Sequence, residues 1–591
     1  MDKKNLDNLR HSCAHLLAAA VMEIWPDTKR AIGPAIENGF YFDFDFGDKK
    51  ISEDDFARIE NKMHEIAKSW KSFERHEMSA DKAKDEYPNN PYKHELIEEF
   101  SKKGETLSFY KSGDYWDLCR GGHCEHPDQE LKHFKLLSIA GAYWRGSEKN
   151  PMLTRIYGTI FPTKAELDDY LKMLEEAKKR DHKKLGQALS LFVFHETSPG
   201  MPYWLPKGLI VYNELLSFSR QVHKDFGYQE VATPILNKKE LYETSGHWDH
   251  YRDDMFVSPM SYLRGDSKEA LIGTETFGIK PMNCPNAMTI FSLTTRSYRD
   301  LPMRLSETSA LHRFELSGTL NGLFRAREFH QDDAHIFISM DQLASEFGKI
   351  MEMIDIFYSA FNLEYRLRFG TRPENFMGDK KDWDEAEESL EKILAASGKE
   401  YVKEEGEGAF YGPKIDILMK DSIGREWQTG TIQLDFQQPK NFKLAYTDSS
   451  GNDAVPAAIH RAIYGSFERF IGILTEHFMG AFPMWLAPIQ VAVLPVSDKT
   501  REYSQAVVER LKNSGIRVEF DDSDKPIGAK IREATLQKVP AMCIIGEKEK
   551  ARSEGNSDLF VSVRSRDGSD LGTIEIEAFL KGLKEDIEKR K

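Results

Sequence analysis

Cysteine is scarce: five residues in 591, at positions 13, 119, 124, 284 and 543. So few thiols exclude a disulfide framework and point to a reducing compartment, with sulfurs free to bind metal or react. Long hydrophobic runs are missing too. The longest near the start, Ala14 to Ile24, is broken by His15 and Glu23. No stretch approaches the ~18 apolar residues of a membrane span. The opening MDKKNLDNLRHS has no apolar core of signal-peptide length behind its lysines. Basic charge is not in excess either: 81 Lys and Arg against 96 Asp and Glu leave a net charge of −15. That excludes a globally basic nucleic-acid coat, although a binding face needs charge only where phosphates lie. Internal repeats and low-complexity tracts are absent. The expectation is a soluble, cytoplasmic protein. At about 150 residues per domain the length gives roughly four domains, each able to bury a core.

The pattern along the chain changes several times. To about Ile160, short helical and strand-like pieces mix: HSCAHLLAAAVMEIW reads as a helix and FYFDFDF, alternating at period two, as a strand. From Thr163 a proline-free run of helix formers reads as a connecting helix, ending in Lys178, Lys179, Arg180, Lys183 and Lys184. Such a cluster is either a solvated surface or a phosphate-facing strip. A central block opens with a helix from Leu209, stopped by Gly227, then YQEVATPIL as a strand interrupted by Pro234. Strand-rich pieces after it suggest a large antiparallel sheet. From Pro488, strands alternate with helices, as in an α/β domain with parallel pairing.

Two sets of chemistry-bearing residues stand out. His11 and His15 share one helix face by their spacing, and CRGGHC supplies Cys119 and His123 at the same interval. These four suit tetrahedral zinc, and equally a metal-free site where imidazoles and a thiol position or deprotonate water. Spacing does not choose between them. The second set is dispersed: Cys284 in MNCP, His335 in QDDAHIF and His460 in IHRAIYGSFERF. Nothing in spacing brings these together. From Leu311 to His335 the sequence reads as two antiparallel strands around a turn, with Arg313, Glu315, Arg325 and Arg327 near the bend. Guanidinium forks suit phosphate oxygens.

These segments, together with GEGAFYGPKID and QTGTIQLDF, resemble the threonyl-tRNA synthetases, a class II aminoacyl-tRNA synthetase family. The resemblance runs over nearly the whole chain, and chance agreement over so many segments is negligible. It implies an α+β catalytic core, built on a six- or seven-stranded antiparallel sheet with helices. It further implies an N-terminal α+β editing domain (1–163), a connecting helix (164–189), the catalytic domain (190–484) and a C-terminal α/β anticodon-binding domain (485–591). The implied reaction joins threonine and ATP into threonyl-adenylate and passes threonine to tRNA(Thr). A homodimer is implied, through the helix at 209–226 and the strand at Pro234.

By position, the resemblance makes Cys284, His335 and His460 zinc ligands, with an open position for the amine and hydroxyl of threonine. Valine lacks the hydroxyl, and such a site rejects it by roughly 10⁴–10⁵-fold. Asp333 would take the hydroxyl, and Gln331, Tyr411 and Gln433 would hold the amino acid. Arg313 would bind the α-phosphate, Arg325 and Arg469 the γ-phosphate, Glu315 and Phe329 the adenine. Gln428 would line the ATP pocket, with Mg²⁺ accompanying the nucleotide. His247 would be a base for transfer. Serine differs from threonine by one methyl, worth only about 1–3 kcal/mol, so a second hydrolytic site is implied. His11, His15, Lys93, Asp117, Cys119 and His123 match that editing pocket, which in the family activates water without metal; zinc on the same residues is the alternative. Glu549 and Arg564 match anticodon-reading positions.

The sequence departs from the family in places. It opens almost at the editing helix, without the small ubiquitin-like segment common at the family's N-terminus, as a natural short form or a trimmed one would. Asn286-Ala287 stand where Gly-His is usual, Phe314 where asparagine is and Glu328 where glycine is, and Met260 to Thr276 reads as extra sequence. Rival readings fare worse. A non-ligating RNA binder would need broken ATP residues, yet Arg313, Arg325 and Arg469 are intact. A proline ligase would not need the three ligands, and a serine ligase would not carry the editing block. A zinc hydrolase built on the first block leaves most of the chain unexplained.

Overall fold

The computed structural model describes residues 3–262, 271–554 and 558–590. It divides into two compact units, residues 1–176 and 177–591.

The first unit is built around the helix Lys3–Ile24. The strand Gly39–Asp45 alternates, and it turns Phe40, Phe42 and Phe44 to one side, fully buried with Leu9, Cys13, Leu17 and Val21 of that helix. Each such phenylalanine contributes about 1.5–3 kcal/mol by leaving water. On the opposite side of the strand, Asp43 accepts both arms of Arg155, at 2.7 and 2.9 Å. Antiparallel pairing with Met152–Ile160 and then Phe134–Tyr143 extends the sheet. A separate three-stranded sheet, Glu74–Glu77, Ser108–Ser112 and Tyr115–Leu118, carries Asp117.

The connecting segment is two helices rather than one. Lys164–Arg180 ends, and Asp181 caps the next, His182–Ala188, by accepting from the N–H of Lys183. Arg180 of the basic cluster is not a free phosphate contact. It donates to the carbonyls of Glu476 and His477 at the end of the helix Phe467–His477.

The central sheet of the second unit has eight strands. In order they are Gln229–Glu230, Met303–Glu307, Asp333–Ile338, Ala457–Ala462, Glu426–Asp435, Lys414–Lys420, Glu364–Gly370 and Tyr401–Glu404. The inner six are antiparallel, while both edge strands pair in parallel and widen the expected six or seven. The helices Pro206–Asp225, Leu343–Ser359 and Phe467–His477 bury their apolar faces in the largest core, shared with this sheet. Proline at the start of the first of these sets its beginning three residues before Leu209. The YQEVATPIL segment is less strand than its residues suggest: only Gln229–Glu230 and Leu236–Lys238 are paired, on either side of Pro234. Within 260–276, Val257–Tyr262 and Leu271–Ile279 form an antiparallel pair; positions 263–270 lie outside the described residues.

The last block holds a five-stranded sheet, Val518–Phe520, Val491–Pro495, Ala541–Ile545, Phe560–Ser565 and Asp570–Glu575. Its first three strands are parallel, as the alternation predicts, and its last two are antiparallel. Val491 and Val493 face one core and Ala492 and Leu494 the other, so helices cover both sides.

Candidate functional site

The register of the central sheet brings the dispersed ligand set together. His335 and His460 lie directly opposite each other on neighbouring strands, with ring centroids 4.7 Å apart. Cys284 opens the helix Cys284–Ser292 above them. All three side chains are buried, and their ligand atoms lie within 4.8 Å of one another. His335 Nε2 and His460 Nδ1 are buried without a hydrogen-bond partner. Orphaned nitrogens beside a sulfur are costly unless something binds them. One thiolate and two imidazoles suit zinc, with a fourth tetrahedral position left over.

The other face of His460 is held firmly. Its Nε2 meets Asp435 Oδ2 at 2.9 Å, while Asp435 Oδ1 accepts from the N–H groups of Gln437 and Gln438. A carboxylate behind a histidine fixes its tautomer and strengthens it as a ligand. Burial pushes the Cys284 thiol up, but the charges of His460 and His335 outweigh it and bring the thiol below its usual value. Asp435 was invisible to spacing, although it ends the QTGTIQLDF segment.

Around this cluster stand the amino-acid candidates. The Tyr411 ring lies 5.2 Å from that of His460, and its hydroxyl donates to Gln433, the residue paired with His460 across the sheet. Asp333 is buried and accepts from Asn283 at 3.0 Å. Gln331 bridges to Ser466, the cap of the helix that carries Arg469.

The arginine hairpin is shorter than its residues suggest. Ala310–His312 pairs with Glu328–His330, and two tight helical turns replace the extended arms between them. Arg313 stacks on Phe329 at 4.9 Å and on Tyr251 at 5.6 Å. Arg325 pairs with Glu315 at 2.8 Å. Arg469 donates to the Gln428 carbonyl at 3.1 Å, and its Nε is buried with no partner. Burial, and then the nearby Arg325, lower its pKa, and Glu315 partly offsets them. The Gln428 side chain is already engaged, donating to Asp416 and accepting from Arg368. Among the departures, Asn286 donates to Asn237 and Glu328 pairs with His312, so both serve local contacts.

His247 differs from an open base. It is fully buried, with Nδ1 at 2.8 Å from Ser245 Oγ and Nε2 at 3.0 Å from Met282 Sδ. Burial, with His460 and Arg313, takes it down to about 3. Glu549 also faces inward: Gly546 N–H and Ser562 Oγ–H donate to its two oxygens. Arg564 is partly exposed on the strand Phe560–Ser565.

The first unit carries the second cluster. The ligand atoms of His11, His15, Cys119 and His123 lie within 4.8 Å of one another. Cys119 Sγ is 3.5 Å from His11 Nε2 and 3.4 Å from His123 Nε2. The glycine pair makes this possible. Gly121 and Gly122 have φ of +98° and +85°, and a side chain on Gly121 would strike the Tyr110 hydroxyl at 2.4 Å. Nearby, buried Lys93 and Asp117 pair at 2.8 Å, and Arg30 reaches the same carboxylate at 3.2 Å. Burial opposes the Asp117 charge, but Lys93 and Arg30 hold it well below the carboxylate range. A cavity of about 510 Å³ opens over His11, His15, Lys93, Asp117 and Cys119.

Burial lowers all three imidazoles of this cluster, His123 to about 3, and raises Cys119 to about 12. Both types of group are therefore neutral near pH 7. In the unfolded chain the histidines take up protons below about 6.5, where the folded cluster does not. Folded stability is thus complete above about 6.5 and is lost as the pH falls. By pH 5 His123 alone accounts for about 2 kcal/mol. Hydrogen-exchange protection of the helix Lys3–Ile24 in metal-free buffer should drop between about pH 7 and pH 5; equal protection at both would show that these imidazoles titrate normally.

Comparison with known proteins follows these features along the chain. Residues 271–478 match the tRNA synthetase class II core domain (G, H, P, S and T), 490–586 an anticodon binding domain, and 107–157 the threonyl and alanyl tRNA synthetase second additional domain. A threonine--tRNA ligase of Thermotoga neapolitana is 48% identical over 98% of this chain and 88% of its own. One from Caldanaerobacter subterraneus is 50% identical over 98% and 87%. Among solved structures, the RNA binding domain of threonyl-tRNA synthetase from Cryptosporidium parvum is 38% identical, with a TM-score of 0.63, over 69% of this chain and 98% of its own. A prolyl-tRNA synthetase of Giardia lamblia, 19% identical with a TM-score of 0.52 over 70% and 81%, shares the fold. With this sheet, these domain matches and near-full-length identity of about half, the chain belongs to the threonine--tRNA ligase family.

Proposed function

We propose that this chain activates threonine with ATP, transfers it to tRNA(Thr), and hydrolyses mischarged Ser-tRNA(Thr). The observation that carries the reading is the buried trio Cys284, His335 and His460, with two orphaned nitrogens beside Asp333 and Tyr411. Zinc held by these three would supply a Lewis-acid position that takes an amine and a hydroxyl together. Asp333 accepts the threonine hydroxyl, while Gln331, Tyr411 and Gln433 orient the amino end. Arg313, stacked on Phe329, meets the α-phosphate as the threonine carboxylate attacks it and negative charge grows there. Arg325 and Arg469 hold the γ-phosphate, with Mg²⁺ on the nucleotide. Glu315, Phe329 and Gln428 frame the ATP. His247 is the candidate base for transfer to tRNA.

At the N-terminal cavity, the neutral His11, His15 and His123 and the Cys119 thiol position a water on the seryl ester, an imidazole nitrogen takes its proton, and Lys93 and Asp117 fix the substrate end. The four ligand-type atoms there would also suit zinc, and about one metal ion per chain rather than two separates the readings. The matched segments support a division into editing (1–163), connecting (164–189), catalytic (190–484) and anticodon-binding (485–591) regions. Glu549 and Arg564 are the candidates for anticodon contact. Exposed Leu209, Ile235 and Leu236 support a homodimer through the catalytic domain, and no helix among the described residues is long and apolar enough to cross a membrane. We place the protein in the cytoplasm.

An amino-acid panel in ATP–pyrophosphate exchange tests this, with metal measured on the same sample. Threonine should drive exchange strongly, serine less and valine roughly 10⁴-fold less. Exchange with serine and none with threonine would overturn the substrate.

A further inference from the structure

Asn283 stands at the cap position of the helix Cys284–Ser292, yet its side chain makes no cap hydrogen bond. Asparagine there ordinarily accepts from a first-turn N–H. Instead the fully buried amide spans two other groups: Nδ2 donates to Asp333 Oδ2 at 3.0 Å, and Oδ1 accepts from Ser309 Oγ at 3.0 Å. The amide sense is fixed, because a carboxylate offers only acceptors. Ser309 Oγ in turn accepts from Lys280 Nζ at 2.8 Å. Lys280 is wholly buried and also donates to Glu307 Oε1 and Thr233 Oγ1, each at 2.9 Å. Donors therefore run one way, from ammonium through hydroxyl and amide to the Asp333 carboxylate.

The sheet register explains the need. Glu307 and Asp333 face each other across adjacent antiparallel strands. Two carboxylates directly opposite repel. The ammonium occupies Glu307 and the amide occupies Asp333, so each carboxylate has its own donor. One oxygen of Asp333 is thereby committed and its plane set.

We propose that Lys280, Ser309 and Asn283 form a positioning relay that aims the Asp333 carboxylate at the hydroxyl of a β-hydroxy amino acid. The proposal rests on the reading of Asp333 given above. Asn283 and Ser309 do not touch the substrate; they act through the carboxylate. Binding of the hydroxyl, and not of ATP or metal, depends on them.

Calorimetric binding of threonine and serine without ATP tests it, together with the KM for ATP and metal per chain. In Asn283→Ala the Kd for threonine should rise about tenfold or more, the loss expected of one charge-assisted hydrogen bond. Ser309→Ala should raise it by a smaller factor, and Ser309→Thr, which keeps a hydroxyl, should restore the parent value. Serine should follow threonine by the same factors, with the ATP KM and metal content held. Asp333→Asn runs beside them. If it leaves threonine binding unchanged, the reading of Asp333 falls and the relay with it. If it weakens threonine while Asn283→Ala and Ser309→Ala bind like the parent, the relay falls and the site reading stands. Should Asn283→Ala fail to fold, Ser309→Ala decides. Loss of metal or a matching rise in ATP KM in Ser309→Ala overturns the proposal, since the change would then be a general loosening of the site.

Discussion

On the proposed reading, Cys284→Ala should lower threonine-dependent ATP–pyrophosphate exchange by at least about 10³-fold and leave the catalytic domain without zinc. The sulfur would be the charged ligand of a zinc held by the trio. Without it only the two imidazoles of His335 and His460 would remain, too few to retain zinc in a reducing buffer. The amine and the hydroxyl of threonine would then lose the shared anchor proposed for them. The fold should survive, because Cys284 is a small side chain at a helix start and alanine fills part of its space. The measurement is exchange activity and metal content on one sample, with circular dichroism as the control for folding. A variant that keeps its metal and exchanges threonine at the parent rate would remove Cys284 from the site.

The second large effect lies in the other unit. Ser-tRNA(Thr) deacylation by Cys119→Ala falls about 10²–10³-fold, while threonine activation is untouched. Cys119 Sγ sits between two imidazole nitrogens and accepts from the Gly121 N–H. A thiol raised to about 12 does not attack as a thiolate at neutral pH. On the proposed reading it holds the water and the imidazoles in register, so its loss should slow hydrolysis, and the parent should form no covalent intermediate. Mischarged Ser-tRNA(Thr) should therefore accumulate in aminoacylation with serine. An unchanged deacylation rate would take Cys119 out of the mechanism.

Both effects come from clusters that differ in how plainly the sequence announces them. His11 and His15 lie on one helix by spacing alone, and CRGGHC binds its cysteine and histidine through two glycines whose positive φ no other residue adopts cheaply. Helix and turn rules reach that far because the contacts are local. The trio at 284, 335 and 460 is legible only through its motifs, since 51 and 125 residues separate its members and no local rule spans such distances. The arginine hairpin shows the limit from the other side: its paired strands are three residues each, because the Ser317–Gly318 and Asn321–Gly322 segments coil into tight turns. The connecting segment was open to the same error. Helix propensity is continuous across Asp181, but its side chain bonds the Lys183 N–H and starts a new helix.

The sequence by itself determined the family, the succession of catalytic and anticodon-binding blocks, and the residue types available for chemistry. Composition, period and motif are properties of neighbours along the chain, and they suffice for that. Only the tertiary structure decided which groups face each other. It set His335 opposite His460 and Asp435 behind the latter, and it turned Asn283 from its helix cap toward Asp333. It also buried His247 between Ser245 and Met282 and folded Glu549 into a cap. Strand register and burial fix these relations, and both arise from packing between segments far apart in the chain.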